Sequence, residues 1–448
     1  MTVSKRILFI AALALVGAPI LAGCATNNTT TTPTSSTTTS STPVSSTPTS
    51  TPVTSTPVIT TPSTTPLELK LGVFMPLTGA LNTLGPDMRD GALLAVDEIN
   101  AANLGLHITT DVKDDGTTDS SGDPNKFNQF AGEGVTAVVG PCCSGVTASV
   151  LDLAVQNQIV VASPSATSPT LTLDRDNQGF FWRVSPSDAV QGKVDAAIVK
   201  NDNNTKVVII YVNNAYGNGL NKVFTQTFGA SNVVTAQAYN EQNTGDFSSQ
   251  VTAVCQKTAD ALVIFGYIND GANILKEMQK QSCLSKFKIY GSEGLYSSES
   301  SAGLPTKAGQ DSSGNWLAAG IKGTNPQSGN LSAFNAKFKA KYGHDPQQYS
   351  AESYDGVMYI ALAALKAGSV KGDDIQKQML TIANPPGTSC QAFAECALLV
   401  KAGTDIDYKG YAHDFQFDDK HEPKTGIYSE WQVQTDGTTK IIATDLTA

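Results

Sequence analysis

The sequence predicts an α/β protein built from parallel sheets covered by helices on both faces, and three observations carry that expectation. Short apolar runs rich in β-branched residues alternate with stretches of helical period. The alternation continues through most of the 448 residues, enough for two folded units of roughly 100–200 residues each. Runs of β and α in strict alternation require crossovers, and crossovers place helices over both faces of a parallel sheet.

The first strand is expected over residues 69–74, followed by the loop Pro76-Leu77-Thr78-Gly79. A helix is expected over 86–100, because Met88, Ala92, Leu93, Val96 and Ile99 share one face at the 3.6-residue period and Pro86 suits a first helical turn. Further strands are expected at 135–139, 159–162, 207–212 and 262–265, with helices at 248–256 and 271–281 among the stretches between them. No short repeat or solenoid period is present.

What precedes residue 67 has a different character. Lys5 and Arg6 are followed by an apolar run over 7–16 and then by Leu21-Ala22-Gly23-Cys24. This arrangement resembles a bacterial lipoprotein signal, which implies a leader over 1–23, cleavage before Cys24 and a lipid on its sulfur. A plain signal peptide or a membrane helix with an incidental cysteine are the alternatives, although the run is shorter than the ~20 residues a spanning helix needs. Residues 24–66 collapse to Thr, Ser and Pro. Such a segment buries too little to offset its ordering entropy and favours extended polyproline II backbone, so it reads as a disordered stalk.

The formal charge of −10 argues against a nucleic-acid partner or residence on an anionic membrane face. His107, His344, His413 and His421 have no metal-ligand spacing, so no zinc site or other cofactor is expected. Seven cysteines less Cys24 leave six in a disulfide-permissive compartment. Cys390 with Cys396, Cys255 with Cys283, and the adjacent Cys142 and Cys143 are candidate pairs, the last either bridged or free, among fifteen connectivities.

Each strand hands over to a loop of small, polar or aromatic residues. These loops are Gly140-Pro141-Cys142-Cys143-Ser144-Gly145, Ser163-Pro164-Ser165-Ala166-Thr167, Asn213-Asn214-Ala215-Tyr216-Gly217, Gly266-Tyr267 and Gly291-Ser292-Glu293-Gly294. Ligands of open parallel sheets sit beyond the carboxyl ends of the strands, so a ligand is sought here. Ser144 stands where a strand turns into a helix, and free N–H groups there favour a carboxylate; Ser165 and Thr167 offer more donors. Ordinary helix capping is the competing role for each. Glu293, between glycines, has no packing task and can receive an ammonium through charge-assisted hydrogen bonds, unless it is a solvated loop residue. Tyr216, Tyr267 and Tyr354 can wall a pocket or fill a core. Hydroxyl and amide donors on one side and a single carboxylate on the other match a zwitterion.

These phrases, in this order, resemble the branched-chain amino-acid binding proteins of ABC importers. Leu71-Gly72-Val73-Phe74-Met75-Pro76-Leu77-Thr78-Gly79, Gly91-Ala92, Asp114-Asp115, Val139-Gly140-Pro141 with Ser144, Ser163-Pro164-Ser165-Ala166-Thr167, Phe181-Trp182-Arg183-Val184, Gln191-Gly192, Tyr216-Gly217 and Gly291-Ser292-Glu293-Gly294 carry the likeness. It implies a type I periplasmic binding fold of two doubly wound lobes joined by three hinge crossings. Residues 67–185 with 320–426 would form the first lobe and 186–319 with 427–448 the second, with crossings near Ser185-Pro186, 317–321 and 426–431. It implies that Ser144, Thr167 and the Ser165–Ala166 backbone anchor an α-carboxylate, that Glu293 holds an α-amino group, that Tyr216 and Tyr267 close from the second lobe, and that Tyr354 walls the pocket from the first. It implies a monomer that passes a small apolar amino acid to permease subunits outside the cytoplasmic membrane.

The chain departs from relatives at Leu84, where some carry an aromatic residue, and at Cys142-Cys143, where hydroxyls are usual. An amide, urea or an aromatic or aliphatic carboxylate is therefore an alternative ligand. The expected mechanism is binding without chemistry. No Gly-x-Ser-x-Gly elbow or P-loop is present, and Gly217-Asn218-Gly219 lacks the third glycine of a dinucleotide fingerprint. A sensor reporting to a membrane kinase uses the same closure and is not separated from an importer component by sequence.

Overall fold

The computed structural model describes residues 65–448 except 80, 117–123, 242–244 and 298–300. The expected leader, Cys24 and nearly all of the Thr/Ser/Pro stretch lie outside the described residues.

Two large sheets organise the chain. The first has five parallel strands in the spatial order Leu106–Asp114, Leu67–Met75, Ala137–Val139, Val160–Ser163 and Phe181–Arg183. Side chains alternate across it, as the strand period of two demands. Val73, Met75, Val139, Ala162 and Trp182 enter one core, and Phe74, Val138, Val161 and Phe181 enter the other. Burial of each such large side chain contributes about 1.5–3 kcal/mol. The larger core is closed by the helix Ser350–Ala367, in which every residue from Ser350 to Ala364 is buried. Its central run Val357–Ala364 is apolar on all faces, as suits a helix inside a protein, and the buried carboxylates of its first turns, Glu352 and Asp355, are hydrogen-bonded.

The second sheet has seven strands in the order Thr439–Leu446, Tyr428–Val433, Lys322–Pro326, Lys288–Gly291, Ala261–Phe265, Val207–Val212 and Val233–Tyr239. Only its last five strands are parallel. Tyr428–Val433 pairs antiparallel with both of its neighbours. Its partner Thr439–Leu446 is reached by a tight turn at Gly437 (φ +83°), and strands joined by so short a link can only run antiparallel. The all-parallel expectation thus fails at this edge.

The chain passes between the sheets three times. It does so between Arg183 and the helix Asp188–Asn201, between Pro326 and the helix Ser332–Tyr342, and just before Tyr428. The second passage differs from the expected 317–321. Lys322–Pro326 is a strand of the second sheet, which the short polar Lys-Gly-Thr-Asn-Pro run conceals. It is fixed there by Trp431 Nε1 donating to the Thr324 carbonyl at 3.0 Å, and a side chain at Gly323 would collide with the Trp431 ring at 2.3 Å. The passages touch one another: the Tyr428 hydroxyl donates to the Ser187 carbonyl at 3.1 Å, and Gln327 N–H donates to the Ile427 carbonyl at 2.8 Å.

Cys255 is bonded to Cys283 and Cys390 to Cys396, across 28 and 6 residues, while Cys142 and Cys143 are free and buried. The longer loop restricts the unfolded chain more. Replacing Cys255 and Cys283 by Ser should therefore cost roughly 3.5 kcal/mol, and replacing Cys390 and Cys396 roughly 2 kcal/mol. Urea unfolding of the two double variants checks this, and the reverse order would exclude loop closure as the cause.

Candidate functional site

The carboxyl ends of both sheets face a cavity of about 750 Å³, its open mouth included. The first lobe lines it with Leu81, Leu84, Cys142, Cys143, Ser144, Ser165, Thr167, Gln348 and Tyr349. The second lobe lines it with Tyr216, Tyr267, Ile268, Asn269, Glu293 and Tyr296.

Ser144 opens the 14-residue helix Ser144–Asn157, whose preceding residue, Cys143, supplies no side-chain cap. The first-turn N–H groups are left without intrahelical partners, and the helix dipole adds positive potential, so this end of the cavity suits an anion. The strand before it is held close by Gly140, where a Cβ would lie 1.9 Å from the Phe74 carbonyl oxygen and φ is +103°. Ser144 Oγ accepts from Ser168 N–H at 3.1 Å, which leaves its own proton to donate. The Ser165 hydroxyl is engaged with the Cys142 carbonyl at 2.7 Å, tying the two loops together. Thr167 Oγ1 donates to Asp188 Oδ2 at 3.0 Å, so what it offers the cavity is a lone pair.

Glu293 stands opposite, in the turn after Lys288–Gly291, and is 5% exposed. Gln191 Nε2 donates to its Oε2 at 2.5 Å. Burial pushes the carboxyl of Glu293 above the usual glutamate range, against hydrogen bonding by Tyr216 and Gln191. Two further acids stand behind it. Burial and the Glu293 charge drive Asp188 well up, and burial drives up Asp195, although Thr324 Oγ1 donates to it at 2.6 Å. Gly294 is required beside Glu293, since a Cβ there would lie 2.3 Å from the Gly266 carbonyl oxygen and 3.0 Å from the Tyr216 hydroxyl. Tyr216 and Tyr267 stack with centroids 5.6 Å apart, and the Tyr216 hydroxyl is 2.6 Å from Ser292 Oγ.

Of the residues singled out from sequence, the fold brings Ser144, Ser165, Thr167, Tyr216, Tyr267 and Glu293 to one cavity. Ala166 is packed in the core behind its loop, and its carbonyl accepts from the Arg183 guanidinium. Tyr354 is not a wall of the cavity. It is fully buried between Phe334 and Tyr411, and its hydroxyl donates to Glu98 Oε2 at 2.7 Å. Tyr349 takes that place, one residue ahead of the helix in left-handed backbone (φ 67°). No local signal separates the two: Tyr354 is flanked by Glu352-Ser353 and Asp355-Gly356, and Tyr349 by Gln348 and Ser350. Tyr296, Asn269 and Lys307, which also line the cavity, were missed as well, since nothing in their local sequence marks them. Among the described residues no group of three or more acidic, His or Cys side chains is placed to hold a metal.

A sequence profile for the family described as periplasmic binding protein matches residues 68–388. The Leu/Ile/Val-binding protein BraC3 of Rhizobium johnstonii is 29% identical over 238 residues, which are 52% of this chain and 63% of that protein. The chain thus spans under two thirds of the length of that relative. The branched-chain amino acid transporter substrate-binding protein LivJ of Streptococcus pneumoniae, solved in complex with isoleucine, superposes with a TM-score of 0.67 at 24% identity, covering 85% of this chain and all of that one (100%). A solute-binding protein of an ABC transporter from R. palustris, solved in complex with benzoate, gives a TM-score of 0.64 at 16% identity over 85% of this chain and 97% of that one. Likenesses at this level establish the type I two-lobed fold.

Proposed function

The chain belongs to the periplasmic binding protein family, and from that premise we propose that it captures a small apolar amino acid, of the branched-chain kind, between its lobes and delivers it to the membrane subunits of an ABC importer. The observation that carries this reading is the opposition, across one cavity, of an uncapped helix N-terminus with a free Ser144 proton and a buried carboxylate at Glu293. The first receives the α-carboxylate. The second receives the α-ammonium, and Thr167, which the resemblance makes a carboxylate anchor, joins it instead, because its proton is given to Asp188 and only a lone pair is left. Leu81, Leu84, Ile268 and the rings of Tyr296 and Tyr349 accept an aliphatic side chain. The similarity to Leu/Ile/Val-binding proteins supports the same ligand class.

No bond is made or broken in this account. Ligand touches both lobes only when they are closed, so its differential affinity shifts the population towards closure about the three passages between the sheets. The protein acts outside the cytoplasmic membrane as a monomer, held there by a lipid on Cys24 with residues 24–66 as its tether. A second reading, an aromatic carboxylate, draws on the tyrosine walls and on the benzoate-bound neighbour. Such a ligand brings no cation of its own to Glu293.

The pH dependence tests the assignment of Glu293. A protonated Glu293 offers no charge to an ammonium, so affinity for isoleucine is full when the carboxyl is ionised and is lost as pH falls through its folded pKa. That pKa is raised, so the loss should begin above the usual glutamate range. Titrations across pH 4–8 (about the range in which carboxylates and histidine ionise) should show this loss in the native protein and a flat profile in Glu293→Gln. A native profile that is flat down to pH 4 (about the ordinary carboxylate value) would remove Glu293 from the ligand.

A further inference from the structure

The functional reading leaves Cys142 and Cys143 unused. Their sulfurs lie 3.1 Å apart, both side chains line the cavity, and they are 3% and 5% exposed. The other four cysteines of the described chain are bonded in pairs, so the chain is suited to a compartment in which thiols are oxidised. A disulfide bond is about 2.05 Å long, so these sulfurs need approach by only about 1 Å. The pair also occupies the position that the anion-binding end depends on. Cys142 N–H donates to Asp115 Oδ2 at 3.1 Å, the Cys142 carbonyl accepts from Ser165, and the Cys143 carbonyl accepts from Thr147 N–H at 2.9 Å in the first turn of the helix.

We propose that Cys142 and Cys143 are a thiol–disulfide site within the cleft, oxidised by exchange with a small disulfide to a vicinal bridge that weakens capture of the amino acid. The chemistry balances with that one co-reactant. The Cys142 sulfur, having lost its proton, attacks one sulfur of R–S–S–R; a mixed disulfide forms and R–S⁻ leaves. The Cys143 sulfur then attacks Cys142 Sγ, forming the bridge and expelling the second R–S⁻. The two thiol protons pass to the two released thiolates, so the protein loses two electrons and two protons, together two hydrogen atoms, and the small disulfide becomes two thiols. Cys143 Sγ donates to Cys142 Sγ at 3.1 Å, so Cys142 is the accepting sulfur and makes the first attack; burial, first, and the neighbouring Cys142 also push the Cys143 thiol well up, in keeping with its later turn.

The bridge has a geometric consequence. Adjacent Cα atoms are about 3.8 Å apart across a trans peptide, whereas bridged cysteines ordinarily need about 4.4–6.8 Å. Closing the ring therefore reorients the Cys142–Cys143 peptide. That peptide precedes the helix whose free N–H groups receive the carboxylate, and its movement displaces them and Ser144. Linkage makes the effect reciprocal: whatever factor oxidation takes from ligand affinity, bound ligand takes from the tendency to oxidise.

This inference rests on the proposed amino-acid reading, and its test separates the two. The full-length protein is equilibrated with mixtures of reduced and oxidised glutathione, with and without isoleucine. The peptide carrying both cysteines is weighed for loss of two hydrogens, and isoleucine affinity is measured by calorimetry for each form. We expect the two-hydrogen loss, an affinity at least about tenfold weaker in the oxidised form, and a shift of the oxidation midpoint to more oxidising mixtures by the same factor when isoleucine is present. Cys142→Ser should abolish the difference between oxidant-treated and untreated protein, whatever its own affinity, whereas Cys143→Ser should stop at the mixed disulfide, seen as one glutathione added to the peptide in place of the two-hydrogen loss. A pair that stays reduced in fully oxidised glutathione, or an oxidised form that binds isoleucine as tightly as the reduced one, would overturn the proposal. A pair that oxidises in a protein whose reduced form does not bind isoleucine would overturn the amino-acid reading and with it the effect on capture, while leaving the thiol site itself standing.

Discussion

Replacing Glu293 by Gln should abolish useful amino-acid binding while leaving the protein folded. The glutamine is the same shape and keeps an acceptor for Gln191, but it brings no charge to meet an ammonium. Removing one partner of a buried, hydrogen-bonded charge pair costs about 2–5 kcal/mol, or about 30-fold to several thousand-fold in affinity. Stability should not fall. Glu293 is 5% exposed and its folded pKa is raised, so burial of its charge carries a cost that the substitution removes. The native protein and the variant should therefore differ by calorimetric titration with isoleucine and unfold in urea at similar concentrations. Equal affinities would mean that the ligand's cation, if it has one, is met elsewhere.

Replacing Arg183 by Met should have the largest effect on stability. Its guanidinium is completely buried, pairs with Glu422 Oε2 at 3.1 Å, and donates to the carbonyls of Ala166 and, at 2.9 Å, Ser168. It thereby pins the loop that carries Thr167 to the last strand of the first sheet, immediately before the first passage to the second lobe. Breaking a buried ion pair from one side leaves the other charge uncompensated, which costs about 3–5 kcal/mol. Urea unfolding should show that loss. Isoleucine affinity should fall as well, because the Ala166 and Ser168 carbonyls are no longer held and the loop between them carries Thr167. A change below about 1 kcal/mol, the usual size for a surface pair, would mean that Glu422 finds another partner.

The α/β alternation was legible because strands buried on both faces read as continuous apolar runs, and Val207–Val212 and Ala261–Phe265 are such runs. Lys322–Pro326 was not legible. Its place in the sheet depends on Trp431, more than a hundred positions away, and on Gly323 leaving room for that ring. The antiparallel edge escaped for a related reason: Thr439–Leu446 is largely exposed and shows no buried face to sequence. In the site, residues that directly follow parallel strands could be located, because topology alone gathers strand ends. Tyr349 and Tyr296 could not, since each reaches the cavity through the packing of distant elements. Tyr354 misled because a tyrosine among polar helix residues is consistent with a pocket wall until its neighbours in space, Phe334 and Tyr411, are known.

The central claim is that one cleft reads both charges of a zwitterion, the carboxylate at the start of Ser144–Asn157 and the ammonium at Glu293. It is tested most directly by calorimetric titration of the native protein with isoleucine, with the same branched acid lacking its amine, and with benzoate. The account predicts one molecule of isoleucine bound per chain, with both amine-free acids at least about 30-fold weaker. Benzoate or the amine-free acid binding as tightly as isoleucine would contradict it.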